Sequence, residues 1–250
     1  MIIKEIYNYL DSLAPYNTQC VWDNSGFMCG NLNAETDSVM VCLDCTNDVI
    51  EQAKSKGCNV VVCHHPMIFA PLKKINEGDA VYNAVRNDIT VISAHTNLDM
   101  AKGGVNDILC EKLCIKDAVP VVADDAPILR AGVVDECSAE NFAKAVAAAL
   151  DASVQLVSSG RKVNRVAVCG GAAGEYLTDA FAAGCDTYIT GEAKHHEFIE
   201  AGKLGLNLLV AGHYSTEIPV VEKLCSYIIN QFPGLDVYAA CEECPYETVV

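Results

Sequence analysis

Basic residues are scarce in this sequence, and long apolar runs are absent. Its 250 residues include 17 Lys and Arg against 33 Asp and Glu, a formal net charge of −16 at pH 7. An acidic surface repels phosphate backbones, so no nucleic-acid partner is expected. No apolar run approaches the roughly 20 residues of a membrane span, and the N-terminus lacks the apolar core of a signal peptide. We therefore expect a cytoplasmic protein with no membrane contact.

The sequence also lacks the signatures of two large enzyme classes. It has no GxxxxGK[ST] phosphate-binding loop, and no serine stands in a nucleophile elbow. Gly170, Gly171 and Gly174 follow a predicted strand but resemble a dinucleotide-binding loop only weakly. P-loop and Ser-His-Asp chemistry therefore have no support.

Cysteine, in contrast, is abundant, with 14 residues. In the absence of an export signal these thiols are expected to be reduced, and those in apolar runs to pack as small hydrophobes. The pairs Cys42–Cys45 and Cys241–Cys244 could indicate a zinc or redox site. The first pair lies in or just past a predicted strand and the second near the C-terminus, which disfavours a joint structural zinc site.

The chain contains an internal repeat. Val39–Cys42 matches Val166–Cys169, and four further features follow in the same order in both copies. These features are a Gly-Cys pair, an apolar run that ends in histidine, a carboxylate four residues later and a Glu-Lys-Leu-Cys tetrapeptide. They are marked, in this order, by Gly57, His95, Asp99 and Glu111 in the first copy and by Gly184, His213, Glu217 and Glu222 in the second. The shared order indicates a duplicated unit.

Each copy is predicted to fold as helix, strand, strand, helix, strand, helix, strand, helix. The opening helices are expected at Ile3–Leu13 and Ser138–Leu150, with Ser138 as a helix N-cap. This alternation predicts an α/β fold with two similar halves, each with a largely parallel, helix-covered sheet, around a shared metal crevice.

The join between the copies is expected near residues 119–131. Two prolines and two aspartates interrupt the pattern there: Pro120, Asp124, Asp125 and Pro127. We therefore predict one half over residues 1–124, carrying His64, His65 and Asp99, and another over residues 125–250, carrying His213 and Glu217.

Four of the six histidines lie where predicted strands end. His64 and His65 close an apolar run, and Pro66 forces a change of direction that could bring both rings into one crevice. Taken alone, this pair fits one core histidine and one surface histidine equally well. His95 and His213 also end apolar runs, although the carboxylates that follow them could be ordinary acids of a helix end.

Together, the four histidines with Asp99 and Glu217 predict a metal site. Mixed nitrogen and oxygen donors suit zinc, iron or manganese rather than calcium. More than four candidate ligands indicate two divalent transition-metal ions bridged by a carboxylate. In the second copy, Glu192 aligns with His65 and is a candidate for handling substrate or protons, unless it only begins a solvated helix.

Six motifs recur in combination in one known family. They are Trp22–Gly26, His64–Pro66, His95–Asp99, Gly103–Asp107, Ile189–Glu192 and Gly212–Glu217. With them the chain resembles the Nif-three-like family, whose members are also called GTP cyclohydrolase 1 type 2 homologues. The resemblance covers nearly the whole chain.

The resemblance implies a dinuclear metal site and a ring-shaped homohexamer with metals lining an internal cavity. Its ligands would be His64, His65, Asp99, His213 and Glu217, with Glu217 as the bridge. His95 and His196 also match histidines of the family motifs, and we assign His95 to substrate binding. Some members carry an extra domain between the halves, whereas this chain corresponds to the short form.

The favoured function is that of a dinuclear metal-dependent hydrolase in which a metal-bridging hydroxide attacks a purine nucleotide, as in GTP cyclohydrolase chemistry. Glu192 and His196 are the expected catalytic residues. The lysines expected to hold a triphosphate are Lys73, Lys74 and Lys194. Two alternatives stay open: a metal-dependent phosphoesterase or amidohydrolase, and a non-catalytic metal-binding regulatory or scaffold protein.

Overall fold

A computed structural model describes residues 1–247 of the chain, and within them it contains ten α-helices and eleven β-strands. The helices are α1 (Ile3–Leu13), α2 (Asn47–Lys56), α3 (Ala80–Arg86), α4 (Thr96–Met100), α5 (Val105–Lys112), α6 (Ala139–Leu150), α7 (Leu177–Ala182), α8 (His195–Leu204), α9 (His213–Glu217) and α10 (Pro219–Gln231). The strands are β1 (Gly26–Cys29), β2 (Ser38–Cys42), β3 (Val60–Cys63), β4 (Thr90–Ser93), β5 (Lys116–Ala123), β6 (Ala126–Cys137), β7 (Gln155–Val157), β8 (Val163–Cys169), β9 (Thr187–Thr190), β10 (Asn207–Val210) and β11 (Asp236–Ala239). Over the described residues, no helix combines the length and apolar character that a bilayer span requires.

The chain forms two compact units. Unit 1 comprises residues 1–102 and 220–243, and unit 2 comprises residues 103–219 and the segment that begins at Cys244. This division differs from the boundary at residue 124 that the sequence suggested. The helix that follows the first copy, α5, contacts β5, β6 and β8 of unit 2. The strand that ends the second copy, β11, pairs with β2 of unit 1.

The sheet of unit 1 has the strand order β1-β4-β3-β2-β11. Neighbouring strands run parallel from β4 to β11, and only β1 is antiparallel. The central strands are apolar throughout, and every residue of Val60–Cys63 is buried, as expected for a strand covered on both faces. The helix α2 packs Val49 and Ile50 into the same core.

The sheet of unit 2 has the strand order β7-β10-β9-β8-β6-β5. Its centre, β8, β9 and β10, is parallel, and the outer strands are antiparallel to their neighbours. The amphipathic helix α6 begins after Ser138, whose side chain accepts a hydrogen bond from the Asn141 N–H, and it buries Phe142 and Val146 in the core.

The predicted duplication is confirmed by the order of the elements. Both copies run helix, strand, strand, helix, strand, helix, strand, helix, from α1 to α4 and from α6 to α9. The strand order β1-β4-β3-β2 in unit 1 corresponds to β7-β10-β9-β8 in unit 2. The glycines of the repeated Gly-Cys pairs follow α2 and α7 with φ angles of +73° and +78°, the left-handed conformation that ends a helix.

The segment expected to join the halves is not a linker but a β-hairpin. Strands β5 and β6 pair antiparallel, and Ala123 faces Ala126 across a two-residue turn. Pro120 is compatible with pairing because β5 is an edge strand. Asp124 and Asp125 have φ angles of +47° and +62°, as a type I′ hairpin turn requires. Pro120 is therefore an edge-strand residue and both aspartates are turn residues, whereas Pro127 lies next to the turn at the start of β6.

The two Cys-x-x-Cys pairs lie in different surroundings. Cys42 and Cys45 are buried in the core of unit 1, next to Cys63, and burial raises the pKa of the Cys42 thiol. Cys241 is exposed, and Cys244 lies in the segment assigned to unit 2. A buried thiol with a raised pKa stays protonated and packs as a small hydrophobe.

The type I′ turn predicts opposite effects for two substitutions at Asp125. Asp125→Gly should raise the free energy of unfolding by up to about 1 kcal/mol, because glycine adopts positive φ without a steric penalty. Asp125→Ala should lower it, because alanine has neither that freedom nor the local hydrogen bonding of aspartate. Urea denaturation of both variants measures the difference, and equal stability would contradict the turn assignment.

Candidate metal centre

Three histidines of unit 1 gather at the carboxyl ends of two neighbouring strands. His64 and His65 follow β3 directly, and His95 lies two residues after β4. Because β3 and β4 are parallel, these ends lie at the same edge of the sheet. The ring centroid of His64 is 5.0 Å from that of His65 and 5.2 Å from that of His95. One ligand nitrogen of each ring lies within 4.8 Å of the other two, so the group could hold a metal ion.

Each of the three rings is oriented by a hydrogen bond from Nδ1 to an oxygen atom. The acceptors are the Ala94 carbonyl for His64 (2.8 Å), Asp44 Oδ1 for His65 (2.8 Å) and Asp23 Oδ1 for His95 (2.7 Å). A carbonyl or carboxylate can only accept, so the proton resides on Nδ1. The lone pair that a metal requires is then on Nε2 of all three rings.

The pairing of Asp23 with His95 shifts both pKa values toward the charged forms. Burial lowers the pKa of His95, but the hydrogen bond that its Nδ1 donates to Asp23 and the charges of Asp99 and Asp23 outweigh it, so the pKa is raised. Burial opposes ionisation of Asp23 as well, yet the hydrogen bond and charge of His95 and hydrogen bonds from Thr96 and Asn24 hold its pKa well below the usual range. The pairing therefore favours an ionised Asp23 and a protonated His95, and a metal ion at His95 would displace the proton from its Nε2.

Asp99 adds a carboxylate to this group. It lies in the short helix α4, one turn after His95, and its N–H donates to the His95 carbonyl at 3.0 Å. Its Oδ1 is 3.6 Å from Nε2 of His64. The helical spacing of four residues thus places the predicted carboxylate next to a predicted imidazole.

The loop that carries Asp44 is fixed from the far end of the chain. Glu242 accepts hydrogen bonds from the N–H groups of Leu43 (2.7 Å) and Asp44 (2.8 Å). Burial raises the pKa of Glu242, although both N–H groups lower it. Since Asp44 orients His65, this C-terminal carboxylate supports one of the candidate ligands indirectly.

Unit 2 has a second, smaller donor group, His213 and Glu217, on the helix α9. Nε2 of His213 is 3.0 Å from Glu217 Oε2, and its Nδ1 is hydrogen-bonded to Glu192 Oε1 at 2.7 Å. Glu192 therefore does for His213 what Asp44 and Asp23 do for the histidines of unit 1. Glu217 is only 4% exposed.

Glycines bring the backbone close to this second group. A Cβ on Gly171, which has a φ of +65°, would lie 2.2 Å from Glu217 Oε1 and 3.4 Å from His213 Nε2. A Cβ on Gly191 would lie 2.9 Å from the Cα of His213. The glycines that resembled a dinucleotide loop are thus explained by the space that a buried carboxylate occupies.

The remaining predicted residues lie at the surface. His196 in α8 has a side chain that is 75% exposed, with Glu197 Oε1 at 3.9 Å. Lys194, just before α8, is 3.6 Å from Glu175 Oε2 and 4.0 Å from Glu197 Oε1. Lys73 and Lys74 lie in the exposed segment between β3 and α3. None of these four residues orients a histidine of either donor group in the described part of the chain.

Sequence reasoning missed the acceptors that orient the histidines. Asp44 had a usable signal, because it follows β2 at the same sheet edge as His65. Asp23 was quoted only as part of a family motif. Glu242 had no usable signal, since it is 198 residues from Asp44 and the Cys241–Cys244 pair that contains it does not point to that loop.

The donor chemistry of both groups fits a divalent transition metal. Imidazole Nε2 atoms with a defined tautomer, together with buried carboxylates, match the ligand preferences of zinc, iron and manganese. Such ions, when bound, lower the pKa of water and stabilise negative charge on a substrate oxygen. The arrangement therefore suits hydrolytic chemistry.

Comparison with known proteins gives a consistent picture. The sequence model of the family described as Duf34/NIF3 (NGG1p interacting factor 3) matches residues 1–245. A relative from Clostridium acetobutylicum named GTP cyclohydrolase 1 type 2 homolog is 30% identical over 231 residues, covering 88% of this chain and 86% of the relative. Among solved structures, the Staphylococcus aureus hypothetical protein SA1388 matches with a TM-score of 0.90 at 26% identity, over 100% of this chain and 99% of that one. Reduced HcgD from Methanocaldococcus jannaschii matches with a TM-score of 0.82 at 29% identity, over 96% and 97%.

The close approach of Gly171 to Glu217 yields a test of the second donor group. Gly171→Ala should displace the Glu217 carboxylate and lower metal affinity by about 10- to 100-fold, the range typical of disturbed ligand support. Gly160→Ala is the matched control, because Gly160 also has a positive φ, +79°, but no atom within 4 Å of an added Cβ. Metal affinity is measured by competition with a chromogenic chelator. Equal losses in both variants would assign the effect to backbone strain alone.

The ion pair of Asp23 and His95 predicts a pH dependence in the metal-free protein. The folded-state pKa of His95 is raised above its ordinary value of 6.5, so its stabilisation is complete below that value and is lost as the pH rises through the raised pKa. Asp23→Asn should lower the pKa of His95 and reduce this loss of stability. NMR titration of His95 checks the shift, with the exposed Asp48→Asn as control. An unchanged pKa in Asp23→Asn would contradict the pairing.

Proposed function

Because the chain belongs to the Duf34/NIF3 family, we propose that it is a dinuclear metal-dependent hydrolase that acts on a purine nucleotide. The relatives named GTP cyclohydrolase 1 type 2 homolog suggest the class of substrate. In such a reaction one water adds to the electrophilic carbon C8 of the purine and opens the ring to a formamide, and a second water hydrolyses this formamide to release formate and the free amine. The proposal names the reaction by analogy with those relatives.

One observation carries the metal-dependent part of the proposal. All four histidines of the two donor groups donate from Nδ1 to a carbonyl or carboxylate oxygen. This pattern fixes the tautomer and raises the basicity of Nε2, as the supporting residues of metal-bound histidines do. The ligands of the proposal are His64, His65, Asp99, His213 and Glu217, with two divalent transition-metal ions per chain and Glu217 as the bridge.

Other side chains of the protein would transfer protons and hold the substrate. Glu192 holds the proton on Nδ1 of His213 and keeps that ring oriented; with a side chain 58% exposed, it also has access to solvent and could exchange protons. His196 is a further candidate for proton transfer. The lysines Lys73, Lys74 and Lys194 would contact the phosphates of the nucleotide as point charges. His95 has a ring nitrogen within 4.8 Å of ring nitrogens of His64 and His65. It would therefore either bind metal or donate a hydrogen bond to the substrate.

Metal uptake and turnover test the proposal together. Reconstitution of the purified chain with Zn²⁺, Fe²⁺ or Mn²⁺ should give about two ions per chain by elemental analysis. His64→Ala should lose metal, and Glu217→Gln should weaken both ions if Glu217 bridges. His195→Ala and Glu222→Gln are controls, because both residues are exposed and lie outside the donor groups. The loaded protein should release formate from GTP, and a chelator should abolish the release.

The possible outcomes separate the proposal from its alternatives. No metal uptake after reconstitution would remove the metal-dependent function altogether. Phosphate release without formate would indicate a phosphoesterase, and metal binding with no turnover of any nucleotide would indicate a non-catalytic role. Light scattering on the same preparations tests the homohexamer that the family resemblance implies, since a monomer mass would exclude it.

A further inference from the structure

Two aromatic side chains with exposed faces lie beside the histidines of unit 1. Trp22 is 57% exposed and Phe69 is 53% exposed. Their ring centroids are 5.9 Å apart with an interplanar angle of 46°, and each is 6.2 Å from the His95 ring. The His95 ring is edge-on to both, with interplanar angles of 73° to Trp22 and 77° to Phe69. The two rings thus form a tilted pair whose outer faces are accessible, next to a candidate ligand.

Polar groups adjacent to each ring hold the pair in place. Asp23, the neighbour of Trp22, is hydrogen-bonded to His95 Nδ1 at 2.7 Å and accepts from the Thr96 N–H at 3.0 Å. The Asn24 side chain donates to the carbonyl of Ile68, the residue before Phe69, at 2.5 Å. The backbone on which each ring stands is therefore anchored, and the exposed rings are not a consequence of a loose loop.

We propose that Trp22 and Phe69 form a stacking platform for the planar ring of a heteroaromatic ligand that binds beside His95. A planar ring stacked on the Trp22 face would be inclined to the Phe69 ring by the same 46° that separates the two side chains, and stacking on an aromatic face is favourable. Stacking of this kind accepts any base, because every base has a π-face. The choice of a nucleotide as the ligand rests on the proposed function, whereas the platform itself rests on the ring geometry.

Charge near the platform favours an anionic ligand over an apolar one. Lys73 and Lys74 follow Phe69 in the same exposed segment, and within residues 1–247 neither forms an ion pair. In a chain of net charge −16, two adjacent lysines in the exposed segment that carries Phe69 match a ligand that combines a planar ring with phosphate.

The tryptophan offers a direct test, because Trp22 is the only one in the chain. Guanosine and GTP should quench its fluorescence, whereas inorganic triphosphate should bind, if at all, without quenching. In calorimetric titrations of the metal-loaded chain with GTP, Trp22→Ala and Phe69→Ala should each weaken binding roughly 5- to 100-fold, the range for loss of one stacked base. Trp22→Phe should retain most of the affinity, and Phe69→Leu should not.

A matched control is Phe181→Ala, which removes an aromatic ring of unit 2 that is 39% exposed and should leave binding unchanged. Circular dichroism and metal content of each variant show that the fold and donor groups persist. Wild-type affinity in both alanine variants, or no quenching by any nucleoside, would overturn the platform. So would a changed oligomeric mass in Trp22→Ala together with unaltered nucleoside binding, which would assign the rings to contacts between copies.

These experiments distinguish a failure of the proposed ligand binding from a failure of the proposed turnover. If nucleosides stack on Trp22 but no formate is released, the platform stands and the proposed reaction fails. If formate is released and the alanine variants leave KM unchanged, the reaction stands and the platform fails. A rise in KM with little change in kcat is the expected signature of a residue that positions the ligand.

Discussion

The hydrogen bond from Nδ1 of each histidine to a fixed oxygen is the interaction on which both donor groups depend. Without it an imidazole has two tautomers and free rotation about its side-chain bonds, and its Nε2 lone pair has no defined direction. The acceptors are of different kinds, a main-chain carbonyl for His64 and carboxylates for His65, His95 and His213. Within each unit, parallel strands that end at one edge of the sheet bring a histidine and its acceptor together. The same sheet edge then needs further support, which Glu242 supplies to the loop of Asp44.

The donor group of unit 2 depends on glycines, which lack side chains, as much as on its histidine and carboxylate. Glu217 is nearly fully buried beside the backbone of Gly171, and a buried carboxylate requires either a close partner or a cation. His213 is that partner in the structure, at 3.0 Å. The glycines make this arrangement possible because they give the carboxylate the volume that a Cβ would occupy. Local sequence rules alone would assign them to a turn or a phosphate loop, and only the packing around Glu217 explains them.

Much of the fold could be predicted from the sequence, and the predictions that failed have a common cause. The helices α1 and α6 were predicted to within a residue, since amphipathic periodicity and the Ser138 cap are local properties. The β5–β6 hairpin was missed because prolines and aspartates were taken as breaks, whereas an edge strand and a type I′ turn accept them. The packing of α5 with unit 2 and of β11 with unit 1 is a tertiary outcome without a local signal. For the candidate centre, histidines at strand ends were visible in the sequence, but their acceptors are defined by hydrogen bonds that span up to 72 residues in the case of Asp23 and His95.

Asp23 connects the two properties that the first unit would need for chemistry on an aromatic ligand. One oxygen of its carboxylate orients His95, and the other accepts hydrogen bonds from the main chain and side chain of Thr96. The residue before it is Trp22, so the anchor that fixes an imidazole also fixes the backbone of an exposed indole. The candidate ligand and the candidate stacking face are thereby linked through one carboxylate. Preorganisation of this kind lowers the entropic cost of holding a reacting group near a bound ring, and it is achieved here by the buried hydrogen bond between Asp23 and His95.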